Sequence, residues 1–187
     1  MSDNPTVAQR LAPLRLKYPG LIPEETLVAN AWLTLFGQQY SGFQYNVRIG
    51  AGDDPGPAYS DSVRQSAIQN SKLRLDAVAW EGLFPDFPLT DDTDPELVYQ
   101  QNGLAQPTIL EFKRRAATSA VGQLSAYAHL WANDFPGRTE PKLLLVANTA
   151  SDTILPILSR ARIALQLVAV NFSVLARSSS YTPPAAP

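Results

Sequence analysis

The sequence contains a single histidine, no cysteine and no long apolar segment, and the last two absences each exclude a class of protein. Without cysteine, its 187 residues hold no disulfide framework, no thiolate nucleophile and no thiolate metal site. No apolar run approaches the roughly 20 residues that a membrane-spanning helix needs, and the first residues lack a signal-peptide pattern. We therefore expect a cytoplasmic protein with no membrane partner.

Charge is also scarce and nearly balanced. Charged residues make up 17% of the chain, and the formal net charge is -2. This balance excludes a strongly basic protein but still allows a local basic patch that contacts phosphates. With 45% hydrophobic residues the chain can bury a sizeable core. We expect an N-terminal lead-in over residues 1–22, one domain over residues 23–177 and a disordered tail over residues 178–187.

Apolar periodicity and turn-forming residues predict an alternation of helices and strands. The predicted helices cover residues 8–18, 23–36, 120–133 and 153–167. The predicted strands cover residues 44–49, 72–80, 107–113, 142–147 and 168–175. Residues 58–71 form either a loop or a marginal helix, and residues 81–106 form a long excursion with a hairpin or a short helix. This order predicts an α/β fold with a mixed sheet between helices.

One apolar strand ends in the charged residues Glu111 and Lys113. Residues two apart on a strand share a face, so these two point the same way while Phe112 packs on the other side. Burying charge is costly, and such a pair usually holds a metal ion, a reacting group or an ion pair. If the strand carrying Asp76 pairs with this one, two carboxylates meet at one sheet edge, and their hard oxygen atoms suit Mg²⁺ or Mn²⁺. An ammonium beside such a metal can orient a water that attacks a phosphodiester.

The next predicted helix carries Gln123 and Tyr127, which lie four residues apart and share one face. The segments Leu-Arg-Leu-Asp76, Ile-Leu-Glu111-Phe-Lys113 and Gln123-Leu-Ser-Ala-Tyr127 resemble, in this order, the PD-(D/E)XK nuclease superfamily. The likeness is to its RecB-like branch, which is marked by a Gln-x-x-x-Tyr helix, and it covers residues 23 to 148.

The resemblance implies a restriction-endonuclease-like core, with a central mixed β-sheet flanked by helices, and a Mg²⁺- or Mn²⁺-dependent deoxyribonuclease. In this reading Asp76, Glu111 and the main-chain carbonyl of Phe112 bind the metal. Glu25, with Glu24 as the alternative, completes the metal shell. Lys113 assists the attacking water.

The resemblance also implies that Gln123 and Tyr127 support the site or contact the nucleic acid. Arg74, Arg114 and Arg115 are the candidates for binding DNA. Two features depart from the family pattern. The spacer between the two strand carboxylates is long, and Arg114 and Arg115 stand where small or hydroxyl residues often follow the lysine.

Each signal alone has an ordinary explanation: a surface ion pair, an acidic helix start or a helix edge with a satisfied phenol. Their joint order favours a nuclease of a bacterium or a phage-infected cell, or one associated with the virion. The absence of a motor segment favours an endonuclease, acting as a homodimer or in a larger assembly. The alternative is a catalytically silent module that binds DNA or a protein assembly. His129 points about 200° away from Tyr127 and is expected in solvent or packing.

Overall fold

A five-stranded mixed sheet with helices on both faces forms the fold of residues 17–173, which are the residues that the computed structural model describes. The strands are β1 Gly42–Ile49, β2 Leu73–Glu81, β3 Gln106–Arg115, β4 Lys142–Thr149 and β5 Ile163–Leu167. The helices are α1 Pro23–Phe36, α2 Asp61–Ser71, α3 Pro95–Gln101, α4 Thr118–Asp134 and α5 Leu155–Arg160, with short 3₁₀ turns at Gly37–Gln39 and Asp152–Ile154. The predicted α/β class and mixed sheet are confirmed.

The strands lie side by side in chain order. β1, β2 and β3 pair antiparallel, whereas β3, β4 and β5 pair parallel. The central strand β3 therefore has an antiparallel neighbour on one side and a parallel neighbour on the other. It is covered on both faces, which explains why its sequence is an almost continuous apolar run.

Two layers of buried side chains hold the helices against the sheet. On one face, Trp32 of α1 packs against Phe112 in what we call the α1-side core. On the other face, Leu124 and Trp131 of α4 pack with Ile109 in the α4-side core. Both side chains of α4 are almost completely buried there. The two cores leave the C-terminal end of β3 as the place where polar groups meet.

The predicted helix over residues 153–167 and the closing strand over 168–175 are wrong. The structure has a 3₁₀ turn, then the six-residue helix α5, and the last strand β5 begins at Ile163. The helix ends because Arg162 adopts a left-handed backbone with φ of 56°, which a helix cannot continue through. Pairing with β4 then draws the following apolar residues into the sheet, and of the predicted closing strand residues 168–173 form none.

The other predicted strands and the helices α1 and α4 are confirmed within two residues at each end. Of the two open stretches, residues 58–71 contain the exposed helix α2, and residues 81–106 contain the short helix α3. Asp94 caps α3, since its carboxylate accepts a hydrogen bond of 2.8 Å from the Glu96 amide.

The predicted helix over residues 8–18 and the predicted tail over 178–187 lie outside the described residues, apart from the end of that helix. Tyr18 and Leu21 are buried in the α1-side core, so the segment just before α1 packs on the sheet layer. Within residues 17–173, no helix is both long enough and apolar enough to cross a membrane.

Candidate active site

The candidate site lies where β2 and β3 separate. Their pairing runs from Glu81 opposite Gln106 to Ala77 opposite Leu110 and then stops. Beyond this last pair, the main-chain amide of Phe112 donates a hydrogen bond of 2.9 Å to Asp76 Oδ2. A side-chain carboxylate of β2 thus takes the place of a ladder partner, and it lies beside the end of β3, where the sequence predicts that two carboxylates meet.

Lys113 lies between three carboxylates at this point. Its Nζ atom is 2.8 Å from Glu111 Oε1, 2.7 Å from Glu25 Oε1 and 4.0 Å from Asp76 Oδ2. The pair of Glu111 and Lys113 confirms that the two residues share a face of β3. Because one ammonium faces three carboxyl groups, the cluster has an excess of negative charge when all are ionised.

Glu25 connects α1 to this cluster. Its Oε2 atom accepts a hydrogen bond of 3.2 Å from the Ile22 amide at the start of the helix, while its Oε1 atom contacts Lys113. An acid in this position both caps the first turn and faces outward from it. Glu25, which the sequence favours, therefore carries the contact with Lys113, and Glu24 is buried at the same helix start.

Burial dominates the electrostatics of the cluster. It raises the pKa of Asp76 to about 8, together with the negative charge of Glu111 and against the opposing effect of Lys113. Burial also raises the pKa of Glu111. For Lys113 burial opposes the charged form, but the carboxylates of Asp76 and Glu111 outweigh it and raise the pKa of the ammonium. Asp76 and Glu111 thus hold protons more readily than usual, and Lys113 stays charged.

Within residues 17–173, only one of the two carboxylate oxygens of Glu111 has a partner. Glu111 is 1% exposed, and its Oε2 atom has no hydrogen-bond partner among the described residues. An unsatisfied buried acceptor costs about 1–3 kcal/mol and calls for a ligand such as an ion or a water. Within residues 17–173, no three acidic or imidazole groups are already arranged to hold a metal ion. The ammonium of Lys113 lies between the oxygens that such an ion would contact.

The side chain of Phe112 points away from the cluster, as predicted. It is 1% exposed and its ring meets Trp32 edge-on at 6.1 Å between centroids. This packing anchors the strand between Glu111 and Lys113, so the two charged side chains are held on the opposite face. The part of its carbonyl in metal binding stays a prediction.

Tyr127 and Gln123 flank the cluster from α4. Burial, together with the negative charges of Glu111 and Asp76, raises the pKa of the Tyr127 phenol to about 12, whereas the charge of Lys113 and a hydrogen bond with Gln123 oppose the shift. The phenol therefore stands close enough to both acids to sense their charge. Gln123 and His129 are exposed on the same helix.

The three candidate arginines are exposed around the end of the sheet. Arg74 donates a long hydrogen bond of 3.5 Å to Asn46 Oδ1. The guanidinium of Arg114 lies 5.1 Å from the centre of the Phe172 ring. Arg114 and Arg115 end β3 directly after Lys113, so they reach solvent within two residues of the cluster. DNA contact by these side chains stays a prediction.

Four acids lie close together between β2 and β3, and part of this acidic loop has a structural role: Asp91, Asp92, Asp94 and Glu96. Asp91 Oδ1 accepts a hydrogen bond of 3.1 Å from the Tyr45 amide, and Glu96 pairs with Arg138. Asp92 and Asp94 are exposed. This loop lines a separate cleft of about 720 Å³, and none of the cluster residues lines that cleft.

Sequence reasoning missed one residue beside the site. Asn46 lies on β1 between the residues that pair with Leu75 and Ala77, and it has a left-handed backbone with φ of 56°. The available signal was an asparagine in the middle of the predicted strand over residues 44–49, since asparagine tolerates this conformation better than most residues.

Comparison with known proteins adds no assignment. No protein-family model, no curated protein and no solved structure matches this chain.

Proposed function

We propose that the chain is a Mg²⁺- or Mn²⁺-dependent deoxyribonuclease with a restriction-endonuclease-like core. The buried cluster at the separated ends of β2 and β3 carries this proposal. There, the ammonium of Lys113 lies 2.7 Å and 2.8 Å from Glu25 and Glu111 and 4.0 Å from Asp76, and one oxygen of Glu111 has no hydrogen-bond partner among the described residues.

The donor set fits a hard divalent cation. Asp76, Glu111 and Glu25 offer carboxylate oxygens, and the carbonyl of Phe112 offers a further one, which are the ligands that Mg²⁺ and Mn²⁺ prefer. When bound, the cation would neutralise charge on a phosphoryl oxygen and lower the pKa of a water. The carboxylates would exchange the ammonium of Lys113 for the cation, which leaves that ammonium available for substrate.

Lys113 and Tyr127 then supply the protein's own part of the chemistry. The raised pKa of Lys113 keeps it a cation with three donors, which can orient the attacking water and stabilise charge on the phosphate. The phenol of Tyr127, whose pKa is raised to about 12, remains protonated at neutral pH and acts as a donor. Gln123 holds that phenol in place.

The substrate in this proposal is DNA. Arg74, Arg114 and Arg115 are exposed near the cluster, and guanidinium groups suit contacts with a phosphate backbone. We propose endonucleolytic cutting, by a homodimer or a larger assembly, in a bacterial or phage DNA-processing pathway.

The test is a cleavage assay on plasmid and on linear single-stranded DNA with Mg²⁺, Mn²⁺ or a chelator. We expect cleavage with metal only, and we expect Asp76→Ala and Lys113→Ala each to lower the rate by at least about 100-fold, as for loss of a charge-stabilising group. Asp86→Ala and Lys142→Ala are matched controls, because they remove the same groups at exposed positions outside the cluster. If no DNA is cleaved with Mg²⁺ and none with Mn²⁺, the proposal that the chain is a nuclease is wrong.

A catalytically silent module is the second candidate. The observation that favours it is the ion pairing of Lys113, because an ammonium held by two carboxylates at hydrogen-bonding distance also serves as a purely structural link. In that case the chain binds DNA or a protein assembly, and neither Asp76→Ala nor Lys113→Ala changes that binding beyond its effect on stability. The cleavage assay separates the two candidates, because a silent module cuts no DNA with Mg²⁺ or Mn²⁺, and electrophoretic mobility shifts then show whether the module and its two variants still bind DNA.

A further inference from the structure

In β1 and in β2, the regular alternation of side chains between the two faces of the sheet is interrupted at the same point. In β1, Tyr45 belongs to the α1-side core, whereas Val47 belongs to the α4-side core. In β2, opposite them, Ala77 belongs to the α1-side core and Leu75 to the α4-side core. Residues two apart on a regular strand share a face. The pleat is therefore interrupted in both strands, between these two pairs.

Asn46 and Asp76 occupy the interruption. Asn46 has a φ of 56°, and only Arg162 shares a positive φ among the non-glycine residues of the described chain. A left-handed residue within a strand breaks the alternation of side chains, as in a β-bulge. The pairing of β1 with β2 keeps the same register on both sides of this point. The change of side-chain direction in β1 is therefore accompanied by the same change in β2.

The interruption decides where the carboxylate of Asp76 lies. Its two neighbours face opposite sides of the sheet, so Asp76 is directed to neither face. Its carboxylate instead reaches across to β3, where Oδ2 accepts the hydrogen bond from the Phe112 amide and lies 4.0 Å from Lys113 Nζ. On a regular strand the same carboxylate would stand on one face of the sheet and would miss the Phe112 amide.

We propose that Asn46 is a positioning residue, whose left-handed backbone turns Asp76 toward β3. The backbone conformation does this, and the amide side chain is not required. The part of the inference that concerns a cation rests on the proposed function, because it treats Asp76 as a metal ligand. The part that concerns the Asp76 contact with Phe112 does not.

The experiment compares Asn46→Gly with Asn46→Ala in the full chain. Glycine adopts a left-handed backbone freely, whereas alanine disfavours it, and both remove the amide. Hydrogen exchange of the Phe112 amide, followed by NMR, reports its bond to Asp76. Calorimetry with Mn²⁺ reports the cation site. Asp76→Ala serves as the positive control for loss of that bond.

Arg162→Ala and Arg162→Gly form the matched control pair. Arg162 has the same φ of 56° but lies in the turn between α5 and β5. Substitution there imposes the same backbone change away from the cluster. Thermal unfolding of all variants measures the general cost of the change, and neither Arg162 variant should alter exchange of the Phe112 amide.

We expect Asn46→Ala to weaken Mn²⁺ binding by about 10- to 100-fold, as for loss of a group that orients a ligand. Exchange of the Phe112 amide should rise toward that of Asp76→Ala. Asn46→Gly should keep the amide protected and the affinity within about threefold of the unsubstituted protein. Protection in Asn46→Ala equal to that of the unsubstituted protein would overturn the inference, and so would equal loss in both variants.

The two proposals fail separately. If the unsubstituted protein binds no Mn²⁺ and cuts no DNA, the proposed function is wrong, yet the exchange of the Phe112 amide still decides whether Asn46 positions Asp76.

Discussion

Replacing Lys113 by methionine removes the ammonium from the cluster and keeps an apolar chain of similar length. The substitution leaves Glu25, Glu111 and Asp76 facing one another with no cation. We expect the ion-free variant to be less stable than the unsubstituted protein at pH 8, and we expect it to bind Mn²⁺ more tightly, because the competing internal cation has been removed.

The magnitude follows from the burial of the cluster. Breaking a buried ion pair by removing one partner costs about 3–5 kcal/mol. The Lys113 side chain is 25% exposed, and Asp76 and Glu111, whose pKa values are already raised, can take up a proton. We therefore expect a loss of about 1–3 kcal/mol at pH 8 and less than about 1 kcal/mol at pH 5. The gain in Mn²⁺ affinity should be about tenfold, which is about 1.4 kcal/mol.

Urea unfolding followed by tryptophan fluorescence measures the stability, since Trp32, Trp80 and Trp131 are all buried and report the whole sheet. Calorimetry measures the Mn²⁺ affinity. Lys142→Met is the control. Lys142 lies outside the cluster, and its Nζ atom makes an exposed ion pair with Glu81 Oε1 at a distance of 2.7 Å. Weaker Mn²⁺ binding by Lys113→Met than by the unsubstituted protein would refute the view that Lys113 competes with the cation.

Three further outcomes are expected. Because the pKa of Asp76 is raised from 3.8 to about 8, its contribution to the stability of the ion-free protein is full below pH 3.8 and is lost as pH rises through about 8. Urea unfolding across that range should show this decline, and Asp76→Asn should lack it. Tyr127→Phe should lower cleavage by about 10- to 100-fold while stability changes by less than about 1.5 kcal/mol, which kinetics and unfolding check together. Arg114→Ala should lower the slope of log affinity for DNA against log salt concentration by about one counterion. An unchanged slope would exclude a contact between Arg114 and a DNA phosphate.

Some elements of the fold can be predicted from the local sequence pattern, and others cannot. The strands β2, β3 and β4 are short apolar runs bounded by turn residues, and their positions follow from the sequence within two residues. The last helix and strand do not follow, because residues 153–167 have the apolar content of either element. The left-handed Arg162 and the pairing with β4 settle that choice, and both depend on the finished sheet.

Glu25 is far from the other acids in the sequence, so its place in the cluster is hard to predict from local pattern. It lies 88 residues before Lys113, and its glutamate neighbour suits a helix start equally well. Only the docking of α1 on the sheet shows that the Glu25 carboxylate reaches Lys113. Asn46 is similar, since its backbone conformation and its effect on Asp76 exist only when β1 pairs with β2.

The sequence by itself determined the fold class, the main strands and the helix α4, and the shared face of Glu111 and Lys113, because these depend on periodicity along a single element. Only the tertiary structure shows that Asp76 and Glu25 lie beside Lys113, that Tyr127 is near enough to be influenced by their charges, and that one oxygen of Glu111 has no hydrogen-bond partner among the described residues. Those features depend on where strands stop pairing and where helices dock, and such contacts between distant segments leave no periodic signal in the chain.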